Sequence, residues 1–142
     1  MDSKAHAAIS LVVAAVALAV TTPPVSPAVV VAVALGVGVG IDLDHFLLAR
    51  WGGDWSAVRR CLRNPHIVVF DQDAIFEDGE VGAVRRLVSH VVLGGVAVPL
   101  VRLASPSLGA VVAASLCAHL LADLVAMARD TVVLDADDPR LG

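Results

Sequence analysis

Residues 28–48 read AVVVAVALGVGVGIDLDHFLL, an apolar run that ends in two aspartates and a histidine. A stretch of this length and composition can cross a bilayer as a helix. Ionisable side chains in such a span are costly and usually face the interior of a helix bundle, where they pair with one another, relay protons or bind ions. The segment therefore predicts a transmembrane helix that presents Asp42, Asp44 and His45 at one end of a membrane bundle.

The whole chain is strongly hydrophobic. Of its 142 residues, 58% are hydrophobic and 17% are charged, and the polar residues are segregated from the apolar ones, which is unusual for a soluble domain. A cleaved signal peptide is one interpretation of the first apolar stretch, and it would remove His6 from the mature protein. We expect an all-α fold, a single integral membrane domain built as a four-helix transmembrane bundle, with spans at about 5–20, 28–48, 84–103 and 108–127, a polar, irregular extramembrane loop at 50–82 and an acidic tail at 130–142.

Each predicted span carries ligand-type residues near one end. If the four helices alternate in direction, those ends are the start of the first, the end of the second, the start of the third and the end of the fourth. All of them then lie on the same side of the membrane, and their convergence at one level predicts a site. The residues are His6, Asp42, Asp44, His45, His90, His119 and Asp123.

The spacing of these residues is compatible with shared metal ligands. His119 and Asp123 are four residues apart and Asp42 and His45 are three apart, so each pair shares a helical face. Asp44 points elsewhere unless the helix unwinds at its end. Imidazole and carboxylate together suit a divalent metal, zinc first, with manganese or iron as alternatives, and the number of carboxylates permits two ions. The alternative is a set of structural hydrogen bonds between helices, without metal.

The second span also contains three glycines at alternate positions, Gly36, Gly38 and Gly40. Glycine weakens a helix, yet small residues let the backbones of packed transmembrane helices approach each other closely. We therefore expect the aspartate-rich end of this span to be held in a tight bundle.

Basic residues are distributed unevenly around the spans. Arg102 alone lies at the end opposite the polar cluster, and the other nine of the ten basic residues lie on the cluster side. The positive-inside rule then predicts a multi-pass protein of the cell (inner or plasma) membrane, in contact with membrane lipids, whose polar site and termini face the cytoplasm. The net charge of −4 and the lack of a basic run give no support to nucleic-acid binding.

Two motifs give the chain a resemblance to a known family. Asp42-Leu43-Asp44-His45 and His119-Leu120-Leu121-Ala122-Asp123, with His6 near the N-terminus, resemble the membrane-bound metal-dependent hydrolases of the LexA-binding, inner-membrane-associated type. That family has Asp-x-Asp-His, His-Arg-Gly-x-Thr-His-Ser and His-Leu-Leu-x-Asp motifs on a small helical membrane domain, and it is distantly similar to zinc-dependent phospholipases C. In the second motif Arg86 and His90 match, whereas Arg85 stands where the family has its leading histidine.

The residues and the resemblance together predict a membrane-embedded metal-dependent hydrolase. Its substrate is expected to be a phosphoester or other ester of a lipid or membrane-adjacent molecule, attacked by a metal-activated water. Asp44 is the expected general base or bridging ligand, and Arg86 is placed to hold an anionic phosphate. The absent motif histidine favours an alternative, a non-catalytic protein that binds metal for structure, sensing or transport. The expected metal ligands are His6, Asp42, His45, His90, His119 and Asp123.

Overall fold

The computed structural model describes residues 3–53, 55–77 and 80–136, and within those ranges it contains helices and no strand. The predicted all-α class is therefore confirmed. The helices are α1 (Ser3–Val20), α2 (Pro27–Gly38), a 3₁₀ turn (Gly40–Leu43), α3 (Asp44–Gly52), α4 (Ser56–Arg63), α5 (Ile67–Phe70), a second 3₁₀ turn (Gln72–Ala74), α6 (Ala83–Ala104) and α7 (Pro106–Ala136).

Three of these helices are long and apolar enough to cross a membrane: α1, α6 and the part of α7 from Pro106 to Arg129. A fourth candidate is the pair formed by α2 and the segment Gly40–Trp51, which are bent by 40° relative to each other. Many large apolar side chains on the outer faces of the long helices are exposed, Leu93 on α6 and Leu121 on α7 among them. Such a surface suits contact with lipid rather than with water.

Small side chains hold the centre of the bundle together. Helix α7 packs against α1, α2 and α6, and α1 also packs against α2. The buried contact is made by Ala14 of α1, Val30 and Ala34 of α2 and Val111 of α7. Alanine and valine let the helix axes approach closely, which is how transmembrane helices gain packing energy when the surrounding lipid is as apolar as they are.

The span predicted at 28–48 is broken, because α2 ends at Gly38 and a 3₁₀ turn begins at Gly40. The Val39 amide still donates to the Leu35 carbonyl at 3.0 Å, but the Asp42 amide donates to the Val39 carbonyl at 3.3 Å, which tightens the chain into a 3₁₀ turn. Each interior glycine costs about 1 kcal/mol of helix stability relative to alanine. The glycine run therefore makes this the point at which a helix gives way most easily, and the break turns the following residues toward the bundle.

The predicted irregular loop over 50–82 is wrong in part, since short helices form much of it. Helix α3 continues to Gly52, and α4, α5 and the second 3₁₀ turn follow. These pieces share a small core of their own, in which Ala57, Ile67 and Ile75 are buried and Phe46 and Phe76 pack against them. The segment is therefore a folded cap over one end of the bundle, which we call the cap (residues 55–77).

Within the cap, Arg60 of α4 binds the segment that follows the second 3₁₀ turn. Its Nε donates to the Ile75 carbonyl at 2.7 Å, one Nη donates to Glu77 Oε1 at 2.7 Å, and the other donates to Glu80. Burial alone would raise the pKa of Glu80, but hydrogen bonds from the Glu77 amide, from Ser56 and from Arg60 outweigh it and hold the pKa below its usual value. The ion pair therefore persists at neutral pH and is lost only as the pH falls through that lowered value.

The fourth span is longer than predicted. Helix α7 continues past residue 127 to Ala136, so the first part of the predicted acidic tail is helical, and residues 137–142 lie outside the described ranges. Helix α6 runs without interruption from Ala83 to Ala104 and includes Pro99. Proline is tolerated in a membrane helix where neighbouring groups satisfy the freed carbonyl.

Candidate metal centre

Seven ionisable side chains from four parts of the chain meet where α2 breaks. Three histidines, on α1, α6 and α7, are 1% exposed, so they lie inside the bundle and not on its outer surface. Asp44 and His45 are also buried, and Asp42 and Asp123 are partly buried. The structure thus brings together His6, Asp42, Asp44, His45, His90, His119 and Asp123, the set that the sequence placed at one level.

The carboxylate of Asp42 lies among three imidazoles. Its Oδ1 is 3.4 Å from Nε2 of His119, 3.6 Å from Nε2 of His45 and 3.7 Å from Nε2 of His90. Asp44 has a similar position, with Oδ1 at 3.3 Å from His90 Nε2 and 3.5 Å from His45 Nε2. Both aspartates face the cluster at the break between the 3₁₀ turn and α3, whereas in one regular helix the side chains of residues 42 and 44 would point about 160° apart.

Asp123 completes the cluster from α7. Its Oδ1 is 3.1 Å from His6 Nε2, and its Oδ2 is 3.4 Å from His119 Nε2. The i, i+4 spacing of His119 and Asp123 therefore places the imidazole and the carboxylate side by side, as their shared helical face predicts. The other carboxylate oxygen of Asp123, Oδ1, connects this pair to His6 of α1.

The orientation of His119 is fixed by the main chain. Its Nδ1 lies 2.8 Å from the carbonyl oxygen of Gly38, so Nδ1 carries a proton and donates it. In the neutral ring Nε2 then has a lone pair, and that lone pair faces the oxygens of Asp42 and Asp123 at 3.4 Å without a hydrogen bond among the residues described. Metal-binding histidines are characteristically held in this way, by a bond from the second nitrogen to a carbonyl or carboxylate.

The four imidazoles lie in two stacked pairs. The rings of His6 and His119 have centroids 3.9 Å apart and those of His45 and His90 5.1 Å apart, with interplanar angles of 22° and 21°. A positive charge on both rings of a stacked pair would be repulsive. Neutral rings bound to a cation are a better way to balance three carboxylates at this depth.

The ligand atoms fall into two groups that share one histidine. In the part of the chain that the structure describes, one group consists of Asp42, His90, His119 and Asp123 and the other of Asp44, His45 and His90. Within each group one atom per residue lies within 4.8 Å of all the others, which allows a single ion to contact every member after small adjustments. His6 belongs to neither group and contacts Asp123, so its geometry is that of a residue supporting a ligand.

Arg86 adjoins the cluster through a cleft between α6 and α7. The cleft has a volume of about 140 Å³ and is lined by Arg86, His90 and Asp123 together with apolar side chains of both helices. Among the residues that the structure describes, the Arg86 guanidinium makes no hydrogen bond or ion pair. A positive charge therefore stands beside the ligand groups.

Two contributors to the site carry no sequence signal of their own. The Gly38 carbonyl that holds His119 is a main-chain atom, and only the glycine spacing pointed to a close approach there. A Cβ at Gly38 would lie 1.9 Å from Ser10 Oγ, whereas one at Gly36 or Gly40 would meet nothing within 4 Å. Phe76 of the cap is the second contributor, and its ring lies edge-on to the His45 ring with centroids 6.0 Å apart.

The remaining histidine, His66, is exposed and stacks on Phe70, and it is not part of the cluster.

The chain matches no family model, no curated protein and no solved structure. The chemistry of the site therefore follows from its own geometry.

Proposed function

We propose that this protein is a membrane-embedded metal-dependent hydrolase that acts on a phosphoester. The observation that carries the proposal is the set of imidazole nitrogens and carboxylate oxygens that face one another inside the bundle, above all His119 Nε2, which lies 3.4 Å from an oxygen of Asp42 and 3.4 Å from an oxygen of Asp123. A set of nitrogen and oxygen ligands of this kind suits zinc, and it also suits manganese or iron. The family resemblance of the Asp-x-Asp-His and His-Leu-Leu-x-Asp motifs supports the same assignment.

The metal ion, Asp44 and Arg86 would have different roles in hydrolysis. A bound divalent ion would lower the pKa of a water molecule and stabilise charge on the attacked ester. Asp44 has Oδ1 toward His90, while its Oδ2 is buried without a hydrogen-bond partner in the described residues, and Oδ2 would accept the proton of the attacking water. Arg86 holds the negative oxygens of the phosphoester. The water oxygen bonds to phosphorus, the bond from phosphorus to the alcohol oxygen breaks, and that oxygen takes up the proton that Asp44 accepted.

A non-catalytic metal-binding protein, for structure, sensing or transport, is the second candidate. Arg85 favours it, because it stands in place of the histidine that leads the family's second motif, and its side chain is exposed. Coordination separates the two functions, since a catalytic metal keeps a position open for water and a structural one is closed. X-ray absorption spectroscopy of the metal-loaded protein is the measurement: a water oxygen in the coordination shell supports the hydrolase, and a shell of protein ligands alone supports the second candidate.

Metal content is the first test. We expect the detergent-purified protein to contain roughly stoichiometric zinc, manganese or iron by plasma mass spectrometry, and we expect His90→Ala and His119→Ala to lose it. His66→Ala is the matched control, because His66 lies outside the cluster, and it should keep its metal. A protein that takes up no metal even after reconstitution would contradict the proposal and leave the cluster as polar contacts between helices.

Sidedness is part of the same proposal, with the cluster, both termini and the cap on the cytoplasmic side of the cell membrane. Cys61 of the cap reports on it, in a Cys117→Ser background that removes the exposed thiol of α7. Burial raises the pKa of the Cys61 thiol and slows its reaction, so labelling requires mildly alkaline buffer. We expect an impermeant maleimide to label Cys61 in inside-out vesicles and not in right-side-out ones. The reverse pattern would contradict this orientation.

A further inference from the structure

The cleft between α6 and α7 has a charged inner end and an apolar outer part. Arg86, His90 and Asp123 form the inner end, which is the side of the candidate metal centre. Leu87 of α6 and Leu120, Leu124 and Met127 of α7 line the walls. A cavity with this division of polarity fits a molecule that has an anionic head and an apolar body.

The mouth of the cleft lies on the outer surface of the bundle. Leu124 is 40% exposed and Met127 is 38% exposed, although both are apolar and belong to a helix long enough to span a membrane. Val88, on a neighbouring turn of α6, is more exposed still. Exposed apolar side chains at the mouth are typical of a surface in contact with lipid hydrocarbon. A molecule that enters between α6 and α7 would therefore come from the bilayer.

The cap restricts the other approach to the cluster. Phe76 lies against the His45 ring, and the Ser3 amide donates to Gln72 Oε1 at 2.8 Å, which ties the cap to the start of α1. The Arg60 contacts with Ile75, Glu77 and Glu80 hold the end of the cap in place. The cluster is therefore covered at its polar end and open along the α6–α7 cleft.

We propose that the cleft admits a lipid phosphate laterally from the bilayer, which names the substrate class of the site and rests on the proposed function. The phosphate lies between Arg86 and the candidate metal centre, because a guanidinium binds phosphate oxygens in a bidentate manner. The volume of about 140 Å³ is below the roughly 300 Å³ of pockets that enclose drug-sized ligands. Only the phosphate end and the adjoining ester therefore enter, and the acyl chains stay against Leu124 and Met127.

Binding of a fluorescent phosphatidate in phosphatidylcholine nanodiscs tests the proposal, with and without added zinc. Leu124→Trp fills the mouth and is expected to weaken binding roughly tenfold or more, whereas Leu121→Trp, on the lipid face of the same helix, should leave it unchanged. Arg86→Gln should also weaken binding about tenfold, the size expected for loss of a charged hydrogen-bond partner. A short-chain phosphatidate should compete, and glycerol 3-phosphate should not.

Three results would overturn the lateral route. They are equal competition by glycerol 3-phosphate, equal loss in Leu121→Trp and Leu124→Trp, and unchanged binding in Arg86→Gln. Each of them can occur in a protein that still holds its metal, so failure of the lipid proposal is distinguishable from failure of the metal proposal. In the opposite case, phosphatidate binding through Arg86 in a protein without metal would keep the lipid site and remove the hydrolase.

Discussion

Replacing Gly38 with alanine is expected to weaken metal binding, although Gly38 carries no ligand side chain. An added Cβ would lie 1.9 Å from Ser10 Oγ and 3.2 Å from Ser10 Cβ, so the Ser10 hydroxyl must leave its hydrogen bond to the His6 carbonyl and the remaining contact presses α1 and α2 apart by a small distance. Gly38 also provides the carbonyl that orients His119, at 2.8 Å from Nδ1, and α1 carries His6 one turn before Ser10. Loss of such a supporting contact typically lowers metal affinity 10–100-fold. Zinc titration of the purified variant measures the change.

Two further variants show whether the close approach of Gly38 to Ser10 causes the loss of metal affinity. Gly36→Ala lies on the same helix, where a Cβ meets nothing within 4 Å, and it should bind metal as the unaltered protein does. Ser10→Gly combined with Gly38→Ala removes both nearby atoms of Ser10 and leaves the His6 carbonyl at 3.8 Å as the nearest neighbour, an ordinary contact distance. We expect this double variant to regain most of the lost affinity. If Gly36→Ala loses as much metal as Gly38→Ala, helix propensity and not packing is responsible.

Membrane solvation explains why the composition of the cluster could be predicted from the sequence. A span has few places for a histidine or an aspartate, and the length of each apolar run fixes the depth of the ionisable residue at its end. With alternating helix directions, His6, His90 and His119 must then lie near one level. The structure brings all three together in the interior of the bundle, at 1% exposure.

Tertiary contacts explain why the finer geometry could not be predicted. A regular helix through residue 48 would direct Asp42 and Asp44 to different faces, and only the 3₁₀ turn after Gly38 makes both of them face the imidazoles. Whether a glycine run bends or stays straight depends on the helices packed against it. The same holds for the cap, where Ala57, Ile67 and Ile75 form a core from residues whose pattern in the sequence is short and irregular.

Asp42→Asn is expected to abolish the stabilisation that metal gives to the protein. Asp42 Oδ1 lies 3.4 to 3.7 Å from three imidazole nitrogens, one each on α3, α6 and α7, so it connects these three helices. An ion that binds only the folded state stabilises it by about 2.7 kcal/mol when its free concentration is roughly a hundred times its Kd. Thermal unfolding in detergent, with and without zinc, measures this increment, which should be present in the unaltered protein and absent in Asp42→Asn. Asp71→Asn, an exposed aspartate of the cap, should retain it.

The stability of Asp42→Asn without metal distinguishes a cluster held together by protons from one held together by a metal ion. If protons on the histidines hold the cluster together, Asp42→Asn removes an ion-pair partner and lowers stability by the same amount whether or not zinc is present. If a metal ion holds it together, the unaltered protein without metal keeps three carboxylates close to one another with little to balance them. Removing one of these charges then costs little or raises the unfolding temperature of the metal-free protein, because like charges at short range repel. A metal-independent loss of stability in Asp42→Asn would therefore refute the metal centre, even though every side chain of the cluster lay where the structure places it.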